Sequence, residues 1–553
     1  MLIKNKKRGK KDLFKQKLSF KQKIKLFMKN LAFNIAHRIA IKKVKKIMKN
    51  TKSQPNQNLS SKKIIFDMIY GMYGQLIYWE GILAKALQIR GNKVKVLTCG
   101  QALTMCTSEY TVHRLHNQDT CNHCVKFSAE FFETVGLPRN SYKDYITDKE
   151  IDEIKKHINQ MTEKEIKNYV FKNVNVGALS ENATVRYFKG QIKPDEELYI
   201  NVLKAEAINS LIAINIAEKI LKKEKPDILV TTHLGYSSWG SFAEHLSQNG
   251  VRITYPGSGY KKDVIGFDFN IVGDTDRKFK KYYEEYRKKQ PLTTDEDKEL
   301  QKFLDKRFKG LEGDTATYGY ENKEIEDIFN KKKYRLTYGI FPNVGWDSSL
   351  LIVNTAFKDI YEWISYTIEL FKEKPDCQLL IKIHPGEIFN QSENTIHDYI
   401  NYKFGKLPEN IKVIPIGTKI SPYKLFKTID VGLIYNGTTG LEMTLHGLPV
   451  IVAGLARYSN KGFTYDIKTK EEYKELFFKK LPKLTEEKMQ IARTYAYFYF
   501  IKGFIEFPYI LNEGFLQQGW KIESFDEIVG GKDENLDKIC EYITQDDILR
   551  LIK

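Results

Sequence analysis

The sequence predicts an α/β protein with two doubly wound, Rossmann-like domains. Short apolar runs typical of buried strands alternate with stretches of helical periodicity, a pattern typical of parallel sheets covered by helices. This series occurs twice, over residues 64–254 and 335–452, with a charged stretch between the two. A length of 553 residues and a hydrophobic content of 42% suffice for several cored domains, so a stapled peptide and a disordered chain are both excluded.

The first series begins with a strand, a helix and a strand, at 64–69, 75–88 and 93–98. It continues with a long helix, a strand, a helix and a strand, at 197–222, 227–232, 239–249 and 251–254. The pattern predicts a first domain over 61–275. The charged residues that follow predict an interdomain connection over 276–333.

The second series predicts a domain over 334–490. Its strands are expected at 335–341, 378–383, 411–414, 430–435 and 449–452, and its helices at 351–373 and 440–446. The segment 495–509 is dense in aromatic residues, so residues 491–553 are expected to cross back to the first domain as helices. Two such sheets facing each other across a cleft are the simplest arrangement, with ligands outside the carboxyl ends of the strands.

The positive charge is concentrated at the N-terminus. The chain has 89 Lys and Arg against 69 Asp and Glu, a net charge of +20, and residues 1–50 alone carry sixteen Lys and two Arg against one Asp, a net of +17. The other 503 residues therefore carry about +3. A nucleic-acid-binding enzyme normally carries a basic stripe on its folded body as well, so nucleic acid is not an expected partner.

Residues 1–60 are expected to form a basic amphipathic arm and a linker. Apolar residues recur at three- and four-residue steps between the lysines: Leu13, Phe14, Leu18, Phe20, Ile24, Phe27, Met28, Leu31, Phe33, Ile35, Ile39, Ile41, Val44, Ile47 and Met48. Such a helix can bury its apolar side in the headgroup layer of an anionic membrane surface, the partner we expect for it. The open alternatives are a solvated tail, a helix docked on the protein's own body, and RNA binding.

Composition also predicts where the protein works. Its apolar runs fall far short of the ~20 residues that a membrane-spanning helix needs, and no apolar stretch with a cleavage site marks a secretory signal. Six Cys in 553 residues fit a reducing compartment. We therefore expect a cytoplasmic protein, peripheral on the inner face of the cytoplasmic membrane.

Two stretches of the second series carry polar residues at strand ends. The segment 379–387, Leu-Leu-Ile-Lys-Ile-His-Pro-Gly-Glu, places Lys382, His384 and Glu387 at and just past the carboxyl end of a buried strand. The segment 430–442 reads as a strand, a small-residue turn and a helix, with the candidate ligand residues Asn436, Gly437, Thr438, Thr439, Gly440 and Glu442. Backbone N–H groups and hydroxyls at such a turn suit a phosphate, and a carboxylate can accept hydrogen bonds from ribose hydroxyls.

Each stretch alone also has a structural explanation, because His-Pro is common at strand ends and a glycine-rich turn lets two elements pack closely. Together, in this order and spacing, the two stretches predict the binding of a nucleotide-sugar donor.

The pairing of the basic-x-His-Pro-Gly-Glu element with the Asn-Gly-Thr-Thr-Gly-Leu-Glu turn and its following Leu-Pro-Val resembles bacterial capsule or surface polysaccharide biosynthesis proteins. That group includes Kdo transferases of the GT-B fold. The likeness is strongest over 335–466 and weaker in the first domain, and the arm and the central connection have no recognised counterpart. It implies donor-phosphate contacts for Lys382, His384, Thr438 and Thr439 and a ribose contact for Glu442. Many relatives carry Arg at the position of Lys382. A lysine such as Lys382 cannot form the bidentate contact to phosphate that an arginine makes.

The resemblance implies a glycosyltransferase of GT-B-like fold that moves a sugar from a nucleotide-sugar donor to a capsule or other surface glycan or glycolipid acceptor, with no obligatory catalytic metal. A nucleotide-sugar epimerase is one alternative. A non-catalytic protein that binds a glycan or a lipid carrier is another.

The first domain is expected to supply the catalytic group. Asp67 lies near the end of the first strand, Glu80 on the following helix, and His233 after the strand 228–232. A base that takes a proton from a sugar hydroxyl must be a carboxylate or an imidazole within hydrogen-bond range. Asp67 and His233 are ranked ahead of Glu80, and capping of adjacent helices is the structural alternative for such strand-end residues.

Four of the six cysteines fall within 26 residues, and His113, His116 and His123 are interleaved with them. The spacing of Cys121 and Cys124 is that of a zinc half-site, which Cys99 and Cys106 could complete to a tetrahedral set. A structural zinc and reduced thiols packed in the fold are both open, as is an iron–sulfur cluster or a redox pair.

Overall fold

The computed structural model describes residues 20–52, 61–71, 74–106, 118–267, 283, 287, 291–312, 333–346, 355–389, 392–414, 416–418, 420–512 and 518–545, with side chains at all of these except 20–27, 29, 30, 74, 75, 118, 119 and 512. The first nineteen residues of the predicted arm, residues 53–60 with most of the predicted linker, and His113 and His116 lie outside these residues.

The strands, in chain order, are β1 (Lys63–Asp67), β2 (Lys93–Thr98), β3 (Arg139–Ser141), β4 (Ile228–Val230), β5 (Arg252–Thr254), β6 (Pro256–Ser258), β7 (Val264–Phe267), β8 (Leu336–Ile340), β9 (Cys377–Lys382), β10 (Ile411–Ile414), β11 (Val431–Ile434), β12 (Val450–Val452), β13 (Tyr465–Asp466), β14 (Phe504–Glu506), β15 (Ile510–Asn512) and β16 (Gln518–Trp520).

The α-helices, in chain order, are α1 (Phe20–Asn50), α2 (Gly74–Ile89), α3 (Gln118–Val135), α4 (Asp148–Asn159), α5 (Glu163–Lys167), α6 (Val176–Phe188), α7 (Glu196–Lys223), α8 (Ser237–Gln248), α9 (Thr294–Phe308), α10 (Ile360–Lys372), α11 (Gly386–Phe389), α12 (Ile396–Phe404), α13 (Pro422–Leu425), α14 (Thr439–Leu445), α15 (Lys470–Leu476), α16 (Glu486–Tyr497) and α17 (Glu534–Gln545). A π-helix, Phe498–Lys502, follows α16 directly.

The chain divides into two compact units. Unit 1 contains Met1–Tyr187, Asp195–Gly257 and Ile505–Lys553, and unit 2 contains Phe188–Pro194 and Ser258–Phe504. The chain therefore enters unit 2 at residue 258. The segment 276–333 belongs to the same unit as 334–490, and the segment 491–553 is divided between the units at residue 504.

Unit 1 is built on a parallel sheet of order β3-β2-β1-β4-β5. Numbered along the chain, this is the order 3-2-1-4-5 of a Rossmann-like sheet. The strands β2 and β3 are added on one side of β1, and β4 and β5 are then added on the other side. Every residue of β1 after Lys63 is buried, as expected for a strand covered on both faces.

Helix α7 forms the core of unit 1. By length and composition it could span a membrane, the one such helix among the residues that the structure describes. However, 78% of its most apolar window is buried inside the protein, where Leu203, Ala207 and Ile214 belong to the apolar core of the unit. A continuous apolar run of this kind is typical of a helix that is covered all round.

Unit 2 contains a parallel sheet of order β10-β9-β8-β11-β12-β13. Counted along the chain this is 3-2-1-4-5-6, the Rossmann order, so the prediction of two doubly wound sheets is confirmed. How the two sheets face each other stays a prediction. Helix α10 begins later than the predicted residue 351 because Asp359 caps it, its side chain accepting a hydrogen bond from Glu362 N.

Smaller sheets complete the fold. The strands β14, β7 and β6 form one, and β15 pairs with β16 antiparallel in the other. The second of these brings Trp520 into unit 1, where its indole Nε1 donates to the carbonyl of Tyr78 at 2.8 Å.

Candidate functional site

The two motif-bearing stretches of unit 2 lie at the same end of its sheet, after strands on either side of β8. Residue Ile340 of β8 pairs with Ile381 of β9 and with Leu433 of β11. His384 and Asn436 each lie three residues beyond these pairing partners, and the strands are parallel, so both follow the carboxyl ends at the same level. The chain order reverses between β8 and β11, and a crevice of this kind is where doubly wound sheets bind ligands.

Lys382 is the last residue of β9, and it is only 5% exposed. Within the part of the chain that the structure describes, its ammonium has neither a hydrogen bond nor an ion pair. Burial lowers the pKa of Lys382 to about 8. A buried ammonium that lacks a counter-charge is costly unless it is paired, so this side chain favours the binding of an anion.

His384 is fixed by the turn that follows it. The backbone N–H of Gly386 donates to His384 Nδ1 at 3.0 Å, so the neutral ring carries its proton on Nε2. A Cβ at position 386 would lie 2.7 Å from Nδ1, which explains the glycine.

The turn after β11 presents polar groups at its surface. Asn436, Gly437, Thr438 and Thr439 are partly exposed, and the hydroxyl of Thr438 makes no capping hydrogen bond at the start of α14. Because α14 has only seven residues, we attribute the anion-binding capacity of this turn to its individual N–H and hydroxyl groups rather than to the helix dipole.

Tyr458 holds this turn in place. Its hydroxyl donates to the carbonyl of Gly437 at 2.7 Å. A Cβ on Gly440 would fall on the same hydroxyl, so the glycine lets the helix start pack directly against the tyrosine.

Glu442, predicted to contact ribose, lies in a buried ion pair. It is 2% exposed, and its Oε1 accepts hydrogen bonds from Arg307 Nε at 2.5 Å and from the Tyr423 hydroxyl at 3.2 Å. Arg307 is on α9, within the segment expected to be a connection, and no local sequence signal linked it to Glu442. The ribose contact stays a prediction, and the contacts observed are structural.

Glu387 also has a structural role. It is buried, and its carboxylate accepts from the backbone N–H of Ile396 at the start of α12, at 3.0 Å to Oε2 and 3.3 Å to Oε1. Burial raises the pKa of Glu387 to about 8. The observed contacts thus connect the loop after β9 to α12, and contact with a donor stays a prediction.

Asn343 is a residue that sequence reasoning missed. It lies three residues beyond Ile340, at the same level as His384 and Asn436, and its side-chain amide donates to the Val344 carbonyl at 3.2 Å. Its Oδ1 is buried without a hydrogen-bond partner among the described residues. Such an acceptor is expected to gain a partner when a ligand binds.

In unit 1, Asp67 and His233 flank the corresponding crevice between β1 and β4. Asp67 ends β1 and is buried, and its carboxylate accepts from the Tyr142 hydroxyl at 3.0 Å and the Thr231 hydroxyl at 3.5 Å. Desolvation outweighs these two hydrogen bonds and raises the pKa of Asp67 to about 7. This carboxyl can therefore both bind and release a proton near neutral pH.

Glu80 lies on α2, close enough to Asp67 to sense its charge. Burial, and then the charge of Asp67, raise the pKa of Glu80 well above its ordinary value. Its Oε1 is buried without a partner in the described part of the chain. The structure thus brings the two predicted carboxyl groups into one electrostatically coupled pair.

His233 has a left-handed backbone, with φ of 53°, and its ring lies 4.8 Å from that of Trp239. Desolvation and the nearby charge of Arg186 lower the pKa of His233 to about 3. The imidazole therefore stays neutral over the physiological range and is a weak base. Of the predicted catalytic residues, Asp67 fits the role of base better than His233.

The predicted zinc site at the four clustered cysteines has no complete ligand set among the described residues. Cys99 and Cys106 pack beside the core of unit 1, while Cys121 and Cys124 lie one turn apart on α3. Among the described residues, no group of three or more His, Cys, Asp or Glu side chains could hold a metal ion. The zinc site and the packed thiols both stay predictions, because His113 and His116 lie outside the described residues.

A family of known proteins matches much of unit 2. Residues 280–499 match the family model described as capsule polysaccharide biosynthesis protein. The predicted resemblance is confirmed over this segment, which also takes in most of the central stretch for which no counterpart was recognised. No curated protein matches the chain.

Solved structures with a distant likeness to this chain include two enzymes of sugar metabolism. A β-Kdo 2,4 transferase (KpsC) of Thermosulfurimonas dismutans is 14% identical, with a TM-score of 0.34, over 56% of this chain and 88% of that one. A UDP-GlcNAc 2-epimerase of Neisseria meningitidis bound to UDP-GlcNAc is 10% identical, with a TM-score of 0.29, over 78% and 93%. Scores this low carry no argument about activity.

Proposed function

We propose that the chain whose residues 280–499 match the capsule polysaccharide biosynthesis family is a glycosyltransferase that moves a sugar from a nucleotide-sugar donor to a capsule or other surface glycan. The observation that carries the proposal is the buried residue Lys382, whose ammonium has no counter-charge among the described residues, at the crevice where a doubly wound sheet binds its ligand. The donor phosphate supplies the missing negative charge.

The residues around Lys382 give the leaving group its stabilisation. As the bond between the anomeric carbon and the phosphate oxygen breaks, negative charge grows on that oxygen. The Lys382 ammonium, His384 Nε2–H and the N–H and hydroxyl groups of the 436–439 turn are donors suited to that charge. They are held in place before the reaction by the backbone contacts of His384 and Gly437.

Asp67 is the proposed base. The acceptor hydroxyl attacks the anomeric carbon and its proton passes to the Asp67 carboxylate, while the nucleotide leaves with the bonding electron pair. A pKa near 7 leaves a substantial fraction of this carboxyl ionised at neutral pH and makes the protonated form stable enough to be a useful product.

The first test measures nucleotide binding by calorimetry with CMP, CDP, UDP and GDP. One of them is expected to bind the wild type and to bind Lys382→Met roughly tenfold to a hundredfold more weakly, the loss typical of a charge-assisted contact. Lys85→Met is the matched control, because Lys85 is also buried with a pKa lowered to about 8 but lies in unit 1 with Gln88 as its partner. Equal binding by Lys382→Met and the wild type would refute the site.

The same titration has a defined pH dependence. Above its pKa of about 8, the free Lys382 is neutral and must take up a proton to pair with phosphate. Affinity is therefore expected to fall as the pH rises above about 8, by up to roughly tenfold per pH unit, in the wild type and not in Lys382→Met. If the nucleotide affinity of both proteins fell with the same slope above pH 8, a group other than Lys382 would be responsible for the pH dependence.

Turnover distinguishes the proposed reaction from its alternatives. A transferase releases free nucleotide when an acceptor glycan is added to the sugar nucleotide. Isomerisation of the sugar without nucleotide release would identify an epimerase, and saturable binding without any turnover would identify a binding protein.

A further inference from the structure

Helix α1 has two apolar faces instead of the single one that the sequence pattern indicated. At about 100° per residue, the buried residues His37, Ala40, Ile41, Val44 and Ile47 group on one side of the helix. A second apolar set lies on the opposite side and is exposed. The two sets together produce the recurring three- and four-residue steps.

The buried face docks on unit 1. His37 Nε2 and Glu130 of α3 are 3.0 Å apart, and the His37 ring packs against Phe127 with the ring centroids at 4.8 Å. At the C-terminal end of the helix, on the opposite side by the same angular count, Lys46 Nζ also pairs with Glu523 of unit 1 at 2.7 Å and Asn50 Nδ2 donates to the Glu523 carbonyl at 3.0 Å. Of the alternatives open from the sequence, docking on the protein's own body is therefore found for this face.

The opposite face forms what we term the α1 stripe, which consists of Met28, Leu31, Ile35 and Ile39. Their exposed fractions are 56%, 45%, 43% and 45%, and they span an arc of only about 80° around the helix. They account for four of the nine large hydrophobic residues exposed in the described part of the chain. Docking leaves this stripe uncovered in the structure.

Basic residues surround and continue the α1 stripe. Arg38, Lys42 and Lys49 point to the same side of the helix by the same angular count, and all three are exposed. Within the described residues none of them has an ion pair, whereas Lys45 and Lys46 on this helix have Glu130 and Glu523 as partners. The exposed face thus combines apolar side chains with uncompensated positive charge.

We propose that the α1 stripe, with Arg38, Lys42 and Lys49, lies in the headgroup layer of an anionic membrane. An apolar stripe bordered by basic residues matches this surface, because acyl chains cover the apolar residues while anionic headgroups neutralise the cations. A second copy of the chain is a poor occupant, since it would bring like charges together. The proposal is independent of the transferase assignment.

The test is sedimentation of the full chain with phosphatidylcholine–phosphatidylglycerol vesicles and with phosphatidylcholine vesicles. The wild type is expected to bind the anionic vesicles much more tightly. The variant Leu31→Ser/Ile35→Ser/Ile39→Ser is expected to lose roughly tenfold or more of this binding. The variant Arg38→Gln/Lys42→Gln/Lys49→Gln is expected to lose about 100-fold, at about a factor of five for each charge.

The control is Val170→Ser/Leu311→Ser, which removes two apolar residues elsewhere that are more exposed than those of the stripe, and it is expected to bind vesicles as the wild type does. Residues 1–19, with their own lysines, are unchanged in every protein, so they cannot produce a difference between them. Unaltered melting temperatures show that the exposed substitutions leave the fold intact.

Three results would overturn the proposal. One is wild-type affinity of the stripe variant for anionic vesicles. Another is a concentration-dependent dimer, seen by ultracentrifugation without lipid, that the stripe variant abolishes. The third is that the wild type fails to bind vesicles but binds RNA, and that both variants lose the RNA binding.

Discussion

At the scale of single residues, burial has its clearest electrostatic effect on Asp67. Its carboxyl has a pKa of about 7 in the folded protein, against about 4 for an unfolded aspartate. Between these values the folded state binds more protons than the unfolded state, so the stability contributed by this group falls as the pH rises from about 4 to about 7.

Replacing Asp67 therefore has a pH-dependent effect on stability. Asp67→Asn is expected to raise the free energy of unfolding by up to about 4 kcal/mol at about pH 8 and to change it little at about pH 4, because asparagine cannot ionise. The same variant is expected to abolish transfer. Unfolding in urea at both pH values measures the effect, and Asp152→Asn, at an exposed site on α4, is the control. A stabilisation that does not depend on pH would contradict the assigned cause.

Residue positions were predictable where a local rule applied. Asp67, Lys382 and His384 follow apolar strands, and the rule that ligands lie beyond the carboxyl ends of parallel strands selected them. Arg307 and Asn343 have no such local signature. Arg307 pairs with a residue 135 positions away in the sequence, and the side-chain Oδ1 of Asn343 is buried without a hydrogen-bond partner among the described residues. Neither property can be predicted from the neighbouring residues in the sequence.

At the scale of elements, α9 is joined to α14 by the buried pair of Arg307 and Glu442. Both side chains are 2% exposed, and their opposite charges compensate each other in the interior. The guanidinium also lies over the Phe500 ring at 5.2 Å, which connects the pair to the π-helix. Removing one partner of a buried pair leaves an isolated charge, which costs far more than a surface pair contributes.

Arg307→Met is accordingly expected to lower the free energy of unfolding by about 3–5 kcal/mol, and the double variant Arg307→Met/Glu442→Gln to recover most of that loss. Denaturant unfolding measures both. Arg493→Met is the control, because Arg493 pairs with Asp297 of the same α9 at 2.7 Å but in a partly exposed position, where the expected loss is about 0.2–1 kcal/mol. A double variant less stable than Arg307→Met would show that the pair is not the source of the loss.

Helix α1 shows why the spacing of apolar residues alone could not predict which faces of a helix are buried. Apolar residues at three- and four-residue steps fit one broad face as well as two opposite faces. Only packing against α3 and the C-terminal segment separates Ile41, Val44 and Ile47, which are buried, from Ile35 and Ile39, which are exposed.

At the scale of the whole molecule, unit 1 is discontinuous in sequence. Its sheet is complete by residue 254, yet residues 505–553 return to it after the chain has built unit 2. The alternation of strands and helices predicted both sheets because each strand is a local apolar run. It could not predict the point at which the chain enters unit 2, since residues 258–267 continue the same strand-like pattern.

Within this returning segment, Trp520 packs into the interior of unit 1. Its buried ring lies 5.4 Å from that of Phe131, a Cβ at Gly81 would approach it to 3.0 Å, and its Nε1 satisfies the Tyr78 carbonyl. Trp520→Ala is expected to cost about 3–5 kcal/mol, through lost burial and the cavity left behind. Trp520→Phe, which keeps most of the apolar volume but loses the hydrogen bond to the Tyr78 carbonyl, is expected to cost less.

The location of that loss tests the division of the molecule into units. Hydrogen–deuterium exchange in Trp520→Ala is expected to accelerate in α2 and α3, which contact the indole, and to stay unchanged in β8, β9 and β11. Nucleotide affinity is expected to stay within about twofold of the wild type, because the proposed donor site lies wholly within unit 2. If the substitution instead weakened nucleotide binding as strongly as Lys382→Met, the nucleotide would have to contact unit 1, and the donor site would need to be placed there.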